Sequence, residues 1–211
     1  MNIFIDTSVK GCNVALFDDK KILKIIQEPI ERGHAETLVP LIEQAMSDTG
    51  KTPQDIKDIY VTIGPGSFTG LRVGLTVAQF IGFSLNKPVH GITTFQVFSC
   101  GVIGDCNRAI LINTKRSDYY YQILDGHHKP INEPQSVSAD KITIDDEIVT
   151  GDAANQFRDE TNFTDDIQSQ EMIDLKAVVK AIQSNELDYH KPEAFYIRDV
   201  DVSQPKKAKT Q

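Results

Sequence analysis

The sequence predicts an α/β fold, and three of its features support that prediction. Short runs rich in β-branched residues alternate with longer runs in which apolar residues recur at helical spacing. A glycine-rich segment, residues 64–74, lies where one such strand is followed by a helix. With 211 residues, 40% of them hydrophobic, the chain is long enough for one large domain or two small lobes.

The first half of the chain opens with three short strands and then alternates helix and strand. The predicted strands are residues 2–7, 13–19, 21–27, 58–63 and 89–92, and the predicted helices are residues 34–48, 71–85 and 93–101. Because the first three strands are close together in the sequence, we expect an antiparallel meander. Pro40 lies inside the first helix and is expected to kink it. Thr52 and Pro53 predict a short helical turn with a threonine N-cap.

The second half has a weaker pattern and predicts a smaller lobe. It contains a predicted hairpin (residues 108–113 and 118–124), a strand (147–150), two helices (152–159 and 175–183) and a final strand (193–197). We expect residues 1–101 to form the first lobe and residues 102–190 the second. The C-terminal segment, residues 191–211, is expected to return to the first lobe.

Charge argues against a nucleic-acid platform. The net charge is -8, and most of the excess acid lies after residue 101. An acidic surface repels phosphate backbones, so this chain alone is a poor candidate for a nucleic-acid platform. Lys206, Lys207 and Lys209 form the one basic cluster, and three terminal lysines are typical of a solvated tail.

Other sequence signals predict a cytoplasmic protein. The first residues, MNIFIDTSVKG, lack the basic and apolar regions of a signal peptide, and no segment approaches the ~20 apolar residues of a membrane span. We therefore expect no contact with a membrane. Cys12, Cys100 and Cys106 are scattered and predict neither a disulfide framework nor a zinc site.

Residues 64–74 read GPGSFTGLRVG and form a candidate anion-binding loop. Glycines allow close approach to the main chain, and the first amides of the following helix are unpaired. The loop lacks the Lys-Ser/Thr end of a P-loop, and its glycine spacing differs from that of a dinucleotide site. A structural turn is therefore favoured over an anion cradle. The candidate anion ligands are Gly64, Gly66, Ser67, Thr69, Gly70 and Arg72.

The helix after this loop carries a ribbon of small residues. Gly70, Gly74, Ala78 and Gly82 recur every four residues and so lie on one side of the helix. Such a ribbon allows close packing, either on the domain's own sheet or on a partner chain. Both alternatives stay open at this point.

Isolated polar residues give weaker signals. His34, near the start of the first helix, has no second histidine at metal-ligand spacing and is interpreted as a surface or capping group. His127 and His128 are expected in a solvated turn. Asp6 and Ser8 end the first strand, where they favour either a turn cap or a ligand at the edge of the sheet.

The chain resembles the TsaB (YeaZ) family of tRNA threonylcarbamoyladenosine synthesis. The resemblance is carried by FIDTS, RGHAETLVPLIEQAM, the long stretch from DIYVTIGPGSFTGLRVG to HGITT, and PEAFYIRD. It is strong over residues 1–100 and thin over 101–190. It implies an actin-like ATPase domain (ASKHA, ribonuclease H-like) fold with two lobes, each a mixed sheet with flanking helices, the second lobe being reduced.

The resemblance also implies a non-catalytic subunit that binds TsaD during threonylcarbamoyl transfer to adenosine 37 of tRNA. TsaE is an expected further partner, and a homodimer is expected when TsaD is absent. The metal-binding histidines of TsaD match Thr94 and Phe98 here, so no metal or nucleotide of its own is expected. The expected interface residues are Leu38, Leu41, Ile42, Ala45 and the ribbon Gly70, Gly74, Ala78 and Gly82. The alternative is an autonomous ATP- or metal-dependent enzyme of the same fold, either a transferase or an M22-type peptidase-like protein.

Overall fold

The computed structural model describes residues 1–197, which form two five-stranded sheets with helices around and between them. The predictions that concern residues 198–211, including the basic cluster at Lys206, Lys207 and Lys209, lie outside the described residues.

The elements follow one another in the order β-β-β-α-β-α-β-α, and then β-β-β-β-α-β-α. The strands are β1 (Asn2–Asp6), β2 (Cys12–Phe17), β3 (Ile22–Glu28), β4 (Ile59–Gly64), β5 (Val89–Thr93), β6 (Arg108–Asn113), β7 (Tyr119–Leu124), β8 (Gln135–Val137), β9 (Ile148–Gly151) and β10 (Ile167–Ser169). The helices are α1 (His34–Thr49), α2 (Phe68–Leu85), α3 (Thr94–Cys100), α4 (Ala154–Thr161) and α5 (Leu175–Gln183), with short 3-10 turns at Pro53–Asp55 and Ala139–Lys141.

The first sheet has the strand order β3-β2-β1-β4-β5. The opening meander is antiparallel, as predicted, with Phe4 opposite Ala15. Strands β4 and β5 are parallel to β1 and to each other, since each follows a helix that crosses back over the sheet. The carboxyl ends of these three strands therefore lie at the same edge.

The second sheet has the order β10-β9-β6-β7-β8. Strands β6 and β7 form the predicted antiparallel hairpin, and β9 pairs parallel to β6. Strand β10 extends the sheet beyond β9, also in parallel. Both sheets are therefore mixed.

The two sheets and the helices stack as alternating layers. Helices α1 and α2 cover the outer face of the first sheet and share a core with Ile3, Ile5 and Val61. Helices α3 and α5 lie between the sheets, where Phe95 and Val178 share one core with Phe4 of the first sheet and Ile110 of the second. Helix α4 covers the outer face of the second sheet. The core that the two sheets share around α3 and α5 is therefore apolar.

Two polar strands were missed from the sequence and one predicted strand is wrong. The missed strands β8 and β10 have three residues each. Residues 193–197 form no strand, because their main chain makes only one hydrogen bond to the sheet, from Phe195 N to Ile63 O at 2.8 Å. An isolated bridge between Gly91 and His190 holds the residues just before this segment against β5.

Helix α2 is more apolar than the sequence analysis predicted. Its 18 residues have a mean hydropathy of 1.3, so by length and composition α2 could cross a membrane, contrary to the expectation that no segment comes close. The core helix of a soluble protein can have the same length and composition. Only 33% of the helix is buried here, which leaves a large apolar side uncovered.

Candidate docking face and interlobe cavity

Hydrogen bonds hold the glycine-rich turn against the end of β1. Ser67 N donates to Ser8 O at 2.7 Å, and Thr7 Oγ1 donates to Gly70 O at 2.7 Å. A Cβ atom at Gly66 would lie 2.1 Å from Ser8 O, and one at Gly70 would lie 2.0 Å from Thr7 O. Both positions therefore require glycine because two backbones touch there.

The small-residue ribbon continues this contact along the sheet. A Cβ at Gly74 would lie 2.4 Å from Thr7 Oγ1, and one at Gly82 would lie 2.4 Å from Val89 Cγ2. Ala78 is fully buried in the core beneath α2. Of the two alternatives left open for the ribbon, packing on the domain's own sheet is the one observed.

The predicted interface residues face the core of the first lobe, and their part in an interface stays a prediction. On α1, the residues expected to contact a partner are all buried in the same core, and they are Leu38, Leu41, Ile42 and Ala45. Together with the ribbon at Gly70, Gly74, Ala78 and Gly82 they face the sheet. The sides of α1 and α2 that are open to contact are therefore mainly the opposite ones.

The opposite side of α2 is exposed and apolar. Phe80 and Phe83 are 70% and 89% exposed, and they share one side of the helix with Arg72 and Thr76. An open groove of about 380 Å³ lies beside them, lined by Ala35, Phe68, Thr69, Arg72, Val73, Thr76 and Val77. We call the groove together with Phe80 and Phe83 the α1–α2 face. Large exposed apolar patches mark interaction sites in soluble proteins.

Sequence reasoning missed the two phenylalanines that dominate this face. The signal was available, because Phe80 and Phe83 lie on the side of α2 away from the ribbon. Arg72 is the one charged residue of this face and of α2, whereas α1 exposes Glu36, Glu43 and Asp48 outside the groove.

Arg72 is held within this face by aromatic rings. Its guanidinium lies 3.6 Å from the centroid of the Phe68 ring, and its Nε donates to the Tyr196 hydroxyl at 3.3 Å. The rings of Phe68 and Tyr196 also contact each other, with centroids 5.6 Å apart. Arg72 lines the groove rather than the cavity described next, so it does not join the other predicted anion ligands.

A second, larger cavity of about 1010 Å³ lies between the two lobes. Its first-lobe wall contains Ser8, Val9, Lys10, Ile30, Glu31, Arg32, His34, Gly66, Ser67, Phe68 and Thr69. Its second-lobe wall contains Ile112, Asn113, Thr114, Lys115, Arg116, Tyr120, Asp152, Asn155, Ser169 and Glu171, and Tyr196 closes one side. Of the predicted anion-binding residues, Gly66, Ser67 and Thr69 reach this cavity. Gly64, which packs against Leu71, and Gly70 do not line it.

At the end of β1, the carboxylate of Asp6 acts as a turn cap. It is fully buried and accepts hydrogen bonds from Ser8 N at 3.1 Å, Ser8 Oγ at 2.5 Å and Asn13 Nδ2 at 2.9 Å. These bonds occupy both carboxylate oxygens. Of the two alternatives for Asp6 and Ser8, the structure therefore favours the cap.

In the second-lobe wall, Asp152 carries the clearest electrostatic perturbation. Burial raises the pKa of its carboxyl to about 6, although a hydrogen bond from Asn113 N at 2.9 Å and the nearby charge of Lys115 act in the opposite direction. Asp152 directly follows Gly151, the last residue of β9, and lies two residues before the start of α4.

The histidines differ from the sequence expectation. His128 is buried rather than solvated, with its Nδ1 2.8 Å from Ser99 Oγ, and burial lowers its pKa. His34 is also buried, being 8% exposed, and its Nε2 has no hydrogen-bond partner among the described residues. His127 alone of these three is exposed.

The positions matched to the metal-binding histidines do not fit a metal. Thr94 and Phe98 lie on α3 between the sheets and are fully buried, and a phenyl ring offers no ligand atom. Within residues 1–197, no three His, Cys, Asp or Glu side chains stand close enough together to hold an ion.

Two mixed sheets, stacked with helices between and outside them around an interlobe cavity, define the actin-like ATPase class of fold. Two solved structures from Pseudomonas aeruginosa share this arrangement. One is described as an uncharacterized protein with similarity to peptidase YEAZ, with a TM-score of 0.81 over 93% of this chain and 99% of that one. The other, YeaZ, gives a TM-score of 0.77 over 92% and 98%. Both are 18% identical in sequence and so establish the fold alone.

The family follows from the sequence comparison. The model of TsaD, tRNA N6-adenosine threonylcarbamoyltransferase, matches residues 24–143, and the chain belongs to that family. Its curated relatives include the tRNA threonylcarbamoyladenosine biosynthesis protein TsaB of Escherichia coli (strain K12), 31% identical over 97 residues. The TsaB of Buchnera aphidicola is 32% identical over 95 residues. These matches cover 45–46% of this chain and only 42–45% of the relatives, so the chain spans about half the length of the curated relatives it matches.

Proposed function

We propose that this chain is a non-catalytic subunit that binds a TsaD partner and supports threonylcarbamoyl transfer to adenosine 37 of tRNA. Relatives named TsaB, described as tRNA threonylcarbamoyladenosine biosynthesis proteins, support the pathway. The observation that carries the docking role is the uncovered apolar α1–α2 face, with Phe80 and Phe83 at 70% and 89% exposure.

The chemistry of the face favours another helical surface as its partner. The groove is lined mainly by apolar and hydroxyl side chains, and the ribbon on the far side of α2 anchors the helix rigidly to its sheet. A partner helix laid along α2 would cover both phenylalanines at once. Basic residues on that partner would complement Glu36 and Glu43 of α1.

Catalysis is assigned to the partner. Thr94 and Phe98, where the family resemblance expects metal ligands, do not fit that role, so metal and nucleotide would be held by TsaD. The acidic net charge of -8 supports contact with tRNA only through the complex. TsaE is proposed as a further partner of the assembled pair, and the cytoplasm as its location.

Reconstitution tests this proposal. The chain and TsaD from the same organism are mixed and passed through a size-exclusion column, and threonylcarbamoyl transfer is measured for each protein alone and for the pair. We expect co-elution, activity from the pair, and no activity from this chain alone. Separate elution at micromolar concentrations of both proteins would contradict the docking role.

The interlobe cavity of about 1010 Å³ favours one rival, an autonomous ATP- or metal-dependent enzyme. That rival requires tight nucleotide or stoichiometric metal in the purified chain. Calorimetry with ATP and magnesium, together with elemental analysis, distinguishes the two proposals. A homodimer through the α1–α2 face when TsaD is absent is a further expectation, and it would dissociate as TsaD is added.

A further inference from the structure

Arg72 brings a positive charge into the apolar α1–α2 face, and two aromatic residues fix its orientation. Its guanidinium contacts the Phe68 ring, and its Nε donates a hydrogen bond to the Tyr196 hydroxyl. The two terminal nitrogens of the same guanidinium make no hydrogen bond or ion pair with any described residue. The Arg72 side chain is exposed, so these nitrogens are open to a ligand from outside the chain.

The surroundings of Arg72 do not balance its charge. The other residues that line the groove are apolar or carry a hydroxyl group. Helix α2 contains no acidic residue, and the exposed acids Glu36 and Glu43 of α1 lie outside the groove. In the free protein the charge of Arg72 is therefore stabilised by solvent.

Docking on this face would remove that solvent. Arg72 lines the groove and lies on the same side of α2 as Phe80, so a partner helix that covers both the groove and Phe80 also covers Arg72. A charge that is buried without an opposite charge is strongly unfavourable, whereas a carboxylate with good hydrogen-bond geometry offsets much of that cost. A stable complex therefore requires an acid opposite Arg72.

We propose that Arg72 selects the partner of the α1–α2 face by pairing with a carboxylate on the partner's helix. This inference rests on the proposed docking function and adds the chemistry that the partner must present. An Asp or Glu side chain accepts hydrogen bonds from the two terminal nitrogens of Arg72, while Phe68 and Tyr196 hold the guanidinium in place.

The spacing along α2 also defines where this acid lies on the partner. Arg72 and Phe80 are separated by about two turns of α2, or about 12 Å along its axis. On a partner helix laid along α2, the acid therefore lies about two turns from the residues that cover Phe80. These covering residues are small or apolar, because Phe80 offers only an apolar ring.

Arg72 also disfavours a second copy of this chain as the partner. Two copies that meet through this groove bring two arginines together, and neither the groove nor α2 supplies an acid to pair with them. Like charges in a contact without water are unfavourable, and such repulsion is a common source of specificity. Arg72 therefore opposes a homodimer and favours a different protein that carries an acid.

Arg72→Leu tests both effects, because they have opposite signs. We expect it to weaken binding to TsaD at least about thirtyfold, since the partner's carboxylate is then buried without its opposite charge. We expect it to strengthen self-association about tenfold, since no charge is then buried between the copies. Calorimetry measures the first association and sedimentation equilibrium the second. Circular dichroism checks that the variant melts like the parent.

Two control variants separate pairing from other roles of Arg72. Arg32→Leu makes the same change in net charge at an exposed arginine outside the groove, and it should match the parent in both associations. Tyr196→Phe removes only the acceptor of the Arg72 Nε hydrogen bond. Because the contact with Phe68 remains, this variant should change TsaD binding by less than about fivefold.

The possible outcomes distinguish this inference from the docking function. Equal binding of TsaD by the parent and Arg72→Leu would overturn the inference. A loss of both associations would overturn it too, because that result indicates a purely structural role. A parent that does not bind TsaD would instead contradict the docking function. In that case self-association still decides the role of Arg72, and unchanged self-association of Arg72→Leu would count against it.

Discussion

At the residue scale, the glycines of α2 are required by contacts with β1. Gly70 and Gly74 lie against Thr7, and added Cβ atoms would come within 2.0 and 2.4 Å of its oxygens. In an exposed helix alanine is more favourable than glycine by roughly 1 kcal/mol, so the close contact has to outweigh that preference. The spacing of these glycines shows that they share one side of the helix, but it does not show which side meets the sheet. For that reason the sequence is also compatible with an interface on this side.

Gly70→Ala should therefore destabilise the fold, despite the better helix propensity of alanine. Thr7 O belongs to the backbone and cannot rotate away, so we expect a loss of about 2 kcal/mol, within the range for overpacked cores. Thermal and urea unfolding measure the effect. Thr76→Ala, on the exposed side of the same helix, is the control and should change stability by less than about 0.5 kcal/mol. Equal melting of Gly70→Ala and the parent would show that the helix does not pack as described.

The same contact makes Gly74→Leu unsuitable as a test of docking. We expect this variant to disturb the lobe itself, because even its Cβ would lie 2.4 Å from Thr7 Oγ1. Loss of a complex would then report misfolding. Circular dichroism of the isolated variant separates the two, and a parent-like melting curve would contradict the expectation.

Asp152→Asn should make the protein more stable at neutral pH. The folded-state pKa of about 6 lies above the ordinary value of 3.8, so folding favours the protonated form. The contribution of protonated Asp152 to the free energy of unfolding is present at low pH and is lost as the pH rises from about 4 to 6. At pH 7 this loss corresponds to about 2–3 kcal/mol. Urea unfolding at pH 4 and pH 7 measures the difference between variant and parent.

The difference for Asp152→Asn should be near zero at pH 4 and largest at pH 7. Asp159→Asn, an exposed change on α4, serves as the control and should give no such trend. A gap between Asp152→Asn and the parent that is independent of pH would refute the raised pKa.

At the element scale, α5 holds the two sheets together. Its Val178 packs between them, and Gln183 Nε2 donates to Asp18 O of the first lobe at 2.6 Å. Asp174 caps the helix by accepting from the amides of Lys176 and Ala177 at 2.9 and 3.1 Å. The helix is thus fixed at both ends.

Asp174→Ala should cost about 1 kcal/mol, the usual effect of losing an N-cap. The measurement is chemical unfolding with Lys176→Ala as the control, since Lys176 is an exposed residue in the first turn of the same helix. If both variants unfold at the same denaturant concentration, the cap does not contribute as the geometry implies.

The sequence predicted strongly periodic elements well and short polar ones poorly. The meander, α1, α2 and the hairpin β6–β7 were all predicted, because apolar periodicity reports burial directly. Strands β8 and β10 were missed because three half-exposed residues carry no such pattern. Residues 193–197 look like a strand in the sequence but lie beside the first sheet with a single main-chain hydrogen bond, a long-range arrangement that local sequence cannot indicate.

The candidate sites depend still more on tertiary structure. The cavity joins segments as distant as Lys10 and Glu171, whose ion pair spans the lobes. The sequence around His34 does not show whether this histidine caps the helix or lines that cavity. Phe80 and Phe83, by contrast, could have been assigned to the exposed side once the ribbon was placed on the sheet.

At the scale of the whole molecule, the fold presents two surfaces of different chemistry. The outer α1–α2 face is apolar and uncovered, and the interlobe cavity is polar and lined by both lobes. We propose the first for docking.

The most direct measurement of the central claim is the affinity for TsaD of a double variant, Phe80→Asp with Phe83→Asp. Both side chains are exposed, so the variant should fold like the parent while losing at least about 2 kcal/mol of binding, as expected for central aromatic contacts. Ile103→Asp is the matched control, since Ile103 is 84% exposed on the loop between α3 and β6. The account predicts that the double variant no longer co-elutes with TsaD while Ile103→Asp still does, and equal binding by all three proteins would contradict it.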